Sequence, residues 1–292
     1  MAPAPLLCVC MKPVWRTDVP LRLDAGGHGP RAGEALSATN AADLSALQLA
    51  LSLREAEPSL RVLALSVGPP AAEAVLREAL ATGADEALRV WGTHWPPAGD
   101  AVDGTGNLTR AHATAAAEAL AERAPLLILA GERSADTGHE CFGAFLAAAL
   151  GAAFAHRITE ARREGTGWQV AVRLERGYGQ PLELPAPAVV TVSAQLPRPG
   201  YAALPAWLTS RRASIPVQAA AGPLPEPAPT TLRVPVPRVK QHPTQGRGLD
   251  AEARIHGMVA LEAQGGGTVL ANQPPEAQAD AILALLRERG YL

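Results

Sequence analysis

The sequence lacks most of the features that would assign it quickly. It holds no uninterrupted apolar run near the roughly 18–20 residues that cross a bilayer. The opening Met-Ala-Pro-Ala-Pro has no basic start, and the apolar stretch behind it meets Lys12 within seven residues. It does not read as a signal peptide, so the expectation is a cytoplasmic bacterial protein without membrane insertion. Cys8, Cys10 and Cys141 are the only cysteines, too few for a disulfide framework. Seven histidines never fall at helical or finger spacing and no Cys-x-x-Cys occurs, which argues against a metal site. The balance of 26 basic against 28 acidic residues gives no pull toward nucleic acid or an anionic membrane. Walker A, Gly-x-Gly-x-x-Gly and the Gly-x-Ser-x-Gly elbow are all missing, so nucleotide hydrolysis, ordinary dinucleotide binding and the common esterase layout are not indicated.

What the chain does have is apolar content and rhythm. Its 292 residues, 48% apolar, suffice for a large core. Through residue 160, apolar runs alternate with helical patterns, the signature of a doubly wound, mainly parallel α/β sheet. Strands are expected at 6–11, 61–67, 87–90 and 126–130. Helices are expected from Asn40, over 72–82 ahead of Gly83, over 108–123 and over 139–150. Asn40 followed by Asp43 reads as an N-cap with a carboxylate version of the capping box. Beyond residue 150, short β-prone segments at 154–160, 168–174, 182–184 and 188–193 suggest antiparallel strands added to the sheet. Eight prolines within 216–249 predict an extended arm, followed by helices over 251–262 and 275–289 around the triplet Gly265-Gly266-Gly267. The division is thus a nucleotide-binding domain over 1–215 and, over 216–292, a proline-rich arm with a helical element that either docks on a partner or serves as a tether within one monomer.

In an open parallel sheet, ligands bind outside the carboxyl ends of the strands. Those ends are Cys10-Met11-Lys12, Asn40 with Asp43, Ser66-Val67-Gly68, and Gly131-Glu132-Arg133-Ser134-Ala135-Asp136-Thr137-Gly138. The last is a small polar loop ahead of a helix, and its N–H groups with the Ser134 and Thr137 hydroxyls can hold a phosphate. The pattern points to an adenine nucleotide. Ser134 and Cys141 are candidate nucleophiles for a hydrolase, against the plainer reading of a loop hydroxyl and a packed thiol.

The same segments carry a family resemblance. The strand ending in Met11-Lys12, Thr39-Asn40-Ala41-Ala42-Asp43, residues 64–69, 78–85, 129–136 and 184–191, and Pro199-Gly200-Tyr201-Ala202-Ala203-Leu204-Pro205 follow in family order and spacing over residues 5 to about 215. The chain resembles the beta subunit of an electron transfer flavoprotein. The resemblance implies a heterodimer with an alpha subunit that carries most of an FAD site. Such a pair is an electron carrier, not an enzyme in its own right. It shuttles electrons from flavin dehydrogenases of the acyl-CoA or N-methyl amine type to a membrane quinone oxidoreductase. It further implies one structural AMP, or a second FAD in bifurcating members, held by Cys10, Asn40, Ala41, Ala42, Asp43, Val67 and the run Gly131, Glu132, Arg133, Ser134, Ala135, Asp136, Thr137, Gly138, His139, Glu140, Cys141 and Phe142. Lys12, Trp15 and Asn40 fall at the flavin wall. Residues 192–201 match the partner-recognition loop, with an exposed Leu196 as anchor and Pro197, Arg198, Pro199 and Tyr201 around it. Where the family has Asn-Pro-aromatic this chain has Asn40-Ala41-Ala42, and a glutamine of the phosphate loop is replaced by Cys141. The alternative is a stand-alone adenine-nucleotide-binding protein of the same fold.

Overall fold

The computed structural model describes residues 4–16, 18–19, 37–92, 95, 107–222 and 273–288. The chain divides into two compact units, Met1–Thr231 and Leu232–Leu292. In chain order the first holds β1 (Leu6–Cys10), β2 (Pro13–Trp15), β3 (Ser37–Thr39), α1 (Ala41–Ala56), β4 (Arg61–Val67), α2 (Glu73–Thr82), β5 (Glu86–Val90), α3 (Asn107–Ala121), β6 (Leu127–Gly131), α4 (Phe142–Leu150), β7 (Ala153–Glu164), β8 (Gly167–Arg173), β9 (Gly179–Pro185), β10 (Ala188–Val192), α5 (Leu204–Arg212) and β11 (Val217–Gln218). The described part of the second unit is α6 (Pro275–Glu288), an amphipathic helix in which no residue is buried. None of the described helices is long and apolar enough to cross a membrane.

The central sheet runs β11-β5-β4-β1-β6-β10-β7-β8-β9. Every pairing from β11 to β7 is parallel, and only β7-β8-β9 is antiparallel. Strand side chains alternate between the two faces, which gives two cores. Leu7, Val9, Val62, Ala64, Leu127 and Leu129 pack under α1 and α2. Cys8, Cys10, Leu63, Leu65, Ile128 and Ala130 pack under α3 and α4 with Trp95. Apolar residues on both faces are what a doubly covered parallel sheet requires.

The expected fold class holds, with three corrections. Residues 188–192 are not an added antiparallel strand but lie inside the sheet, parallel to β6 and β7. All five of its residues are buried, as a strand covered on both faces demands. The helix expected from His139 begins at Phe142. Gly138 and Glu140 take positive φ of 64° and 56°, which no α-helix accommodates. Helix α5 and the β2–β3 pair were not expected at all. The expected helix over 251–262, the Gly265–Gly267 triplet and most of the proline-rich arm lie outside the described residues. The first described stretch of that arm supplies β11, beside β5.

Candidate functional site at the sheet's carboxyl edge

β1 is flanked by β4 on one side and β6 on the other, so the chain changes direction there. That is the switch point at which open α/β sheets form a crevice. Cys10, Val67 and Gly131 end the three strands around it.

Asp43 holds the crevice together. Its carboxylate accepts the Lys12 backbone N–H at 2.8 Å, the Gly131 N–H at 3.0 Å and the Asn40 amide at 3.0 Å. Burial pushes its pKa up to about 7 despite those donors and the nearby Lys12 charge. Asn40 stands at the N-cap of α1 but makes no side-chain cap. Its amide instead donates to the Arg133 carbonyl at 3.0 Å, and its Oδ1 accepts the Ala135 N–H at 3.2 Å. The expected capping box is therefore replaced by a tertiary network. The N–H groups of Lys12 and Gly131 leave the ends of β1 and β6 without a ladder partner, and a buried donor must find an acceptor. Gly131 is required here, because a Cβ would overlap the Asp43 carboxylate and lie 2.7 Å from the Ala42 Cβ.

The loop after Gly131 curls back over this network. Lys12 Nζ donates to Asp136 Oδ1 at 2.7 Å and to Thr137 Oγ1 at 3.4 Å. Burial opposes ionisation of Asp136, but Lys12 outweighs it and holds the carboxyl below its usual range. Ser134 Oγ shares a hydrogen bond with Thr137 Oγ1 and accepts the Gly138 N–H. The Arg133 side chain is exposed and lies 3.6 Å from Glu140. His139 Nδ1 meets the Thr109 hydroxyl of α3 at 3.1 Å. No side chain caps the start of α4 at Cys141 and Phe142, and its first turn carries no acid. The start of α4 is uncapped, and the loop leading into it carries two hydroxyls and meets Lys12, donor groups of the kind that hold a phosphate.

Most of the expected residues are thus gathered: Cys10, Asn40 to Asp43, Val67, Gly131 and the loop through Phe142. Glu132 faces elsewhere. It accepts the Ser193 hydroxyl and the Ala194 N–H, both at 3.2 Å, and pairs with Arg157 at 3.1 Å. It therefore ties the loop to the start of residues 193–201. The nucleophile reading gains no geometry. Among the described residues Ser134 meets no imidazole, and desolvation raises the pKa of the Cys141 thiol. The expectation of an exposed Leu196 is corrected. The side chain is partly buried against the α1-side core, and its carbonyl accepts the Ser45 hydroxyl at 2.9 Å. The exposed apolar groups in this region are Tyr201, Leu204, Trp207 and Leu208, with Pro197 and Arg198 also at the surface.

Two contributions escaped the sequence reading. The strand-end position and the flavin wall both mark Lys12, but neither shows that its ammonium group holds the 136–137 turn. His112, on α3, was dismissed with the other histidines for want of metal spacing. The available signal was one imidazole on the alanine-rich buried stripe of α3, a helical turn from Thr109.

The electron transfer flavoprotein domain matches residues 34–223, well over half of the chain and all of the crevice except the end of β1. The chain belongs to the electron transfer flavoprotein family. It is 29% identical over 207 residues to the electron transfer flavoprotein subunit beta of Bradyrhizobium diazoefficiens, covering 71% of this chain and 78% of that one. It is 32% identical over 176 residues to the human subunit beta, 59% of this chain and 64% of the human one. The caffeyl-CoA reductase-Etf complex subunit CarD of Acetobacterium woodii is 29% identical over 165 residues, 56% of this chain and 60% of that subunit. Family membership and the doubly wound sheet agree, and the family is one of flavoprotein electron transfer.

Proposed function

We propose that the chain is the beta subunit of a heterodimeric electron carrier. In this reading it holds one structural AMP in the crevice and forms one wall of an FAD site carried mostly by an alpha subunit. The supporting observation is the Asp43 network, which draws Lys12, Asn40 and Gly131 together under the 133–138 loop. A phosphate would lie along the loop that carries the Ser134 and Thr137 hydroxyls and leads into the uncapped start of α4, with Lys12 as the compensating cation. The nucleoside would extend toward Cys10 and Val67.

FAD, when bound, supplies the redox chemistry. The protein residues contribute no acid, base or nucleophile to it. Lys12 positions the loop, Asp43 fixes the strand ends, and the β2–β3 pair presents Trp15 opposite Ser37 at the flavin wall. Residues 192–212 would meet the electron donors, acyl-CoA-type or N-methyl amine-type dehydrogenases. Between Glu183 and Glu226 the chain has Arg198, Arg211 and Arg212 and no acidic residue. Arg211 covers the Trp207 ring at 4.9 Å. Exposed apolar side chains beside arginine suit a partner surface with an acidic rim. The electrons would pass on to a quinone oxidoreductase at the membrane.

Affinity purification from the native host, followed by denaturation and mass spectrometry of released nucleotides and chains, tests this reading. One FAD and one AMP per pair of different chains is the expected result. Two FAD would replace AMP by flavin in the crevice and move the protein to a bifurcating type. A monomer without flavin would overturn the carrier role and favour a stand-alone nucleotide-binding protein.

A further inference from the structure

Two buried side-chain atoms among the described residues lack a hydrogen-bond partner, Ser66 Oγ and His112 Nε2. An unpaired polar atom shielded from water is costly, so each calls for an explanation. His112 stands beside the crevice. Its ring centroid lies 5.5 Å from that of Trp95 and 6.1 Å from that of Trp91, and the two indoles meet edge to face at 5.0 Å. Trp95 shares its packing cluster with Cys10, and Val67 packs against the same cluster. One helical turn before His112, Thr109 binds His139 of the phosphate loop. α3 therefore carries the imidazole over the same face of the sheet on which β1 and β4 end.

Resting on the nucleotide reading above, we infer that His112 recognises the base of the bound nucleotide, through a hydrogen bond from its Nε2 to the edge of an adenine. The phosphate donors lie along residues 134–142, and from there the base would extend past α3 toward Cys10 and Val67. Cys10, Val67 and the Trp91–Trp95 pair pack together on that face of the sheet, a neighbourhood that suits a flat heteroaromatic ring. Burial, helped by the Lys12 charge, lowers the His112 pKa to about 4, so the imidazole is neutral at physiological pH. A neutral ring offers Nε2 as donor or acceptor according to tautomer, and either matches an adenine edge. A site built to pair with a ligand atom discriminates strongly against ligands without it, because its own group is then left unpaired.

The test uses the full chain, stripped of nucleotide, with AMP and ribose 5-phosphate as probes. His112→Phe keeps a planar ring and removes the nitrogen. It should weaken AMP by about tenfold or more while ribose 5-phosphate changes less than about twofold. The ligand-free melting temperature should stay level or rise, since an unpaired polar atom has been removed. H112Q, with an amide that reaches a similar position, should recover most of the AMP affinity. Unchanged AMP binding in H112F would overturn this inference and leave the nucleotide reading standing. Equal losses for both probes, or a lower ligand-free melting temperature with a matching loss of binding, would overturn base recognition. A parent chain that binds no AMP would overturn both.

Discussion

Asp43 and the half-buried His112, whose Nε2 is shielded from water, lie at the same edge of the sheet, and burial acts on them in opposite directions. Asp43 is raised to about 7 and His112 is lowered to about 4. Their surroundings differ more. Asp43 accepts three donors from three separate chain segments, while His112 Nε2 has no partner among the described residues. One group is fully used by the fold, and the other is left for something the fold does not supply. A binding crevice needs both kinds, one to fix where the strand ends lie and one to read what enters.

The contrast breaks first at Asp43 if it is wrong. Asp43→Ala leaves the Lys12 and Gly131 N–H groups and the Asn40 amide short of an acceptor in a buried place. Partial rescue by water brings the expected loss to about 4 kcal/mol of unfolding free energy. Gly131→Ala drives a Cβ into the same carboxylate and should cost about 2–3 kcal/mol. Denaturant titration measures both. A loss under about 1 kcal/mol for Asp43→Ala would mean that the network is decoration on a rigid crevice.

The two shifts also oppose each other in pH. The folded Asp43 pKa lies above that of an unfolded aspartate, so the folded state binds the extra proton and stability falls as pH rises from about 4 to about 7. The folded His112 pKa lies below the unfolded value near 6.5. There the unfolded state binds the extra proton, and stability rises between about pH 4 and 6.5. In the parent the two slopes, each about 1.4 kcal/mol per pH unit, should largely cancel over that window. Asp43→Asn removes the falling term, so its stability relative to the parent should climb with pH. His112→Phe removes the rising term, and its relative stability should drop with pH. Parallel pH profiles for parent and both variants would show that neither group titrates differently on folding.

The extent to which this pair was legible in sequence follows from where the relevant forces act. Alternation of apolar runs with helical stripes announced the doubly wound sheet, because each strand and helix must bury its own face. Asn40, Asp43 and Gly131 were marked by their positions at strand ends. The sequence shows Asp43 only as a local cap, since two of its three donors come from residues 31 and 88 positions away. β10 was misplaced although five consecutive buried residues suit a doubly covered strand; the hairpin-like spacing of its neighbours outweighed that signal. The start of α4 was missed because the break at Glu140 is a positive φ on a residue that favours helix. Leu196 looks like a surface anchor on a proline-flanked loop, but the Ser45 contact and the α1-side core draw it inward. His112 could only be recognised once its ring neighbours were known.

Ser66 gives the smallest and most selective check. Its Oγ is as unpartnered as His112 Nε2, so an unpaired buried atom alone cannot be the mark of a ligand contact. Direction separates them. Along β4, Leu63 and Leu65 belong to the α3-side cluster while Val62 and Ala64 belong to the α1-side one. Alternation therefore places the Ser66 hydroxyl on the α1 side, across the sheet from His112 and from Cys10. Ser66→Ala should stabilise the chain by about 1 kcal/mol or less, by removing a hydroxyl that burial has stripped of water. It should leave AMP affinity within about twofold, where His112→Phe loses about tenfold. If Ser66→Ala weakens AMP as much as His112→Phe does, the ligand is sensed from both faces of the sheet. The contrast between a group used by the fold and one reserved for a ligand would then have to be redrawn around the end of β4.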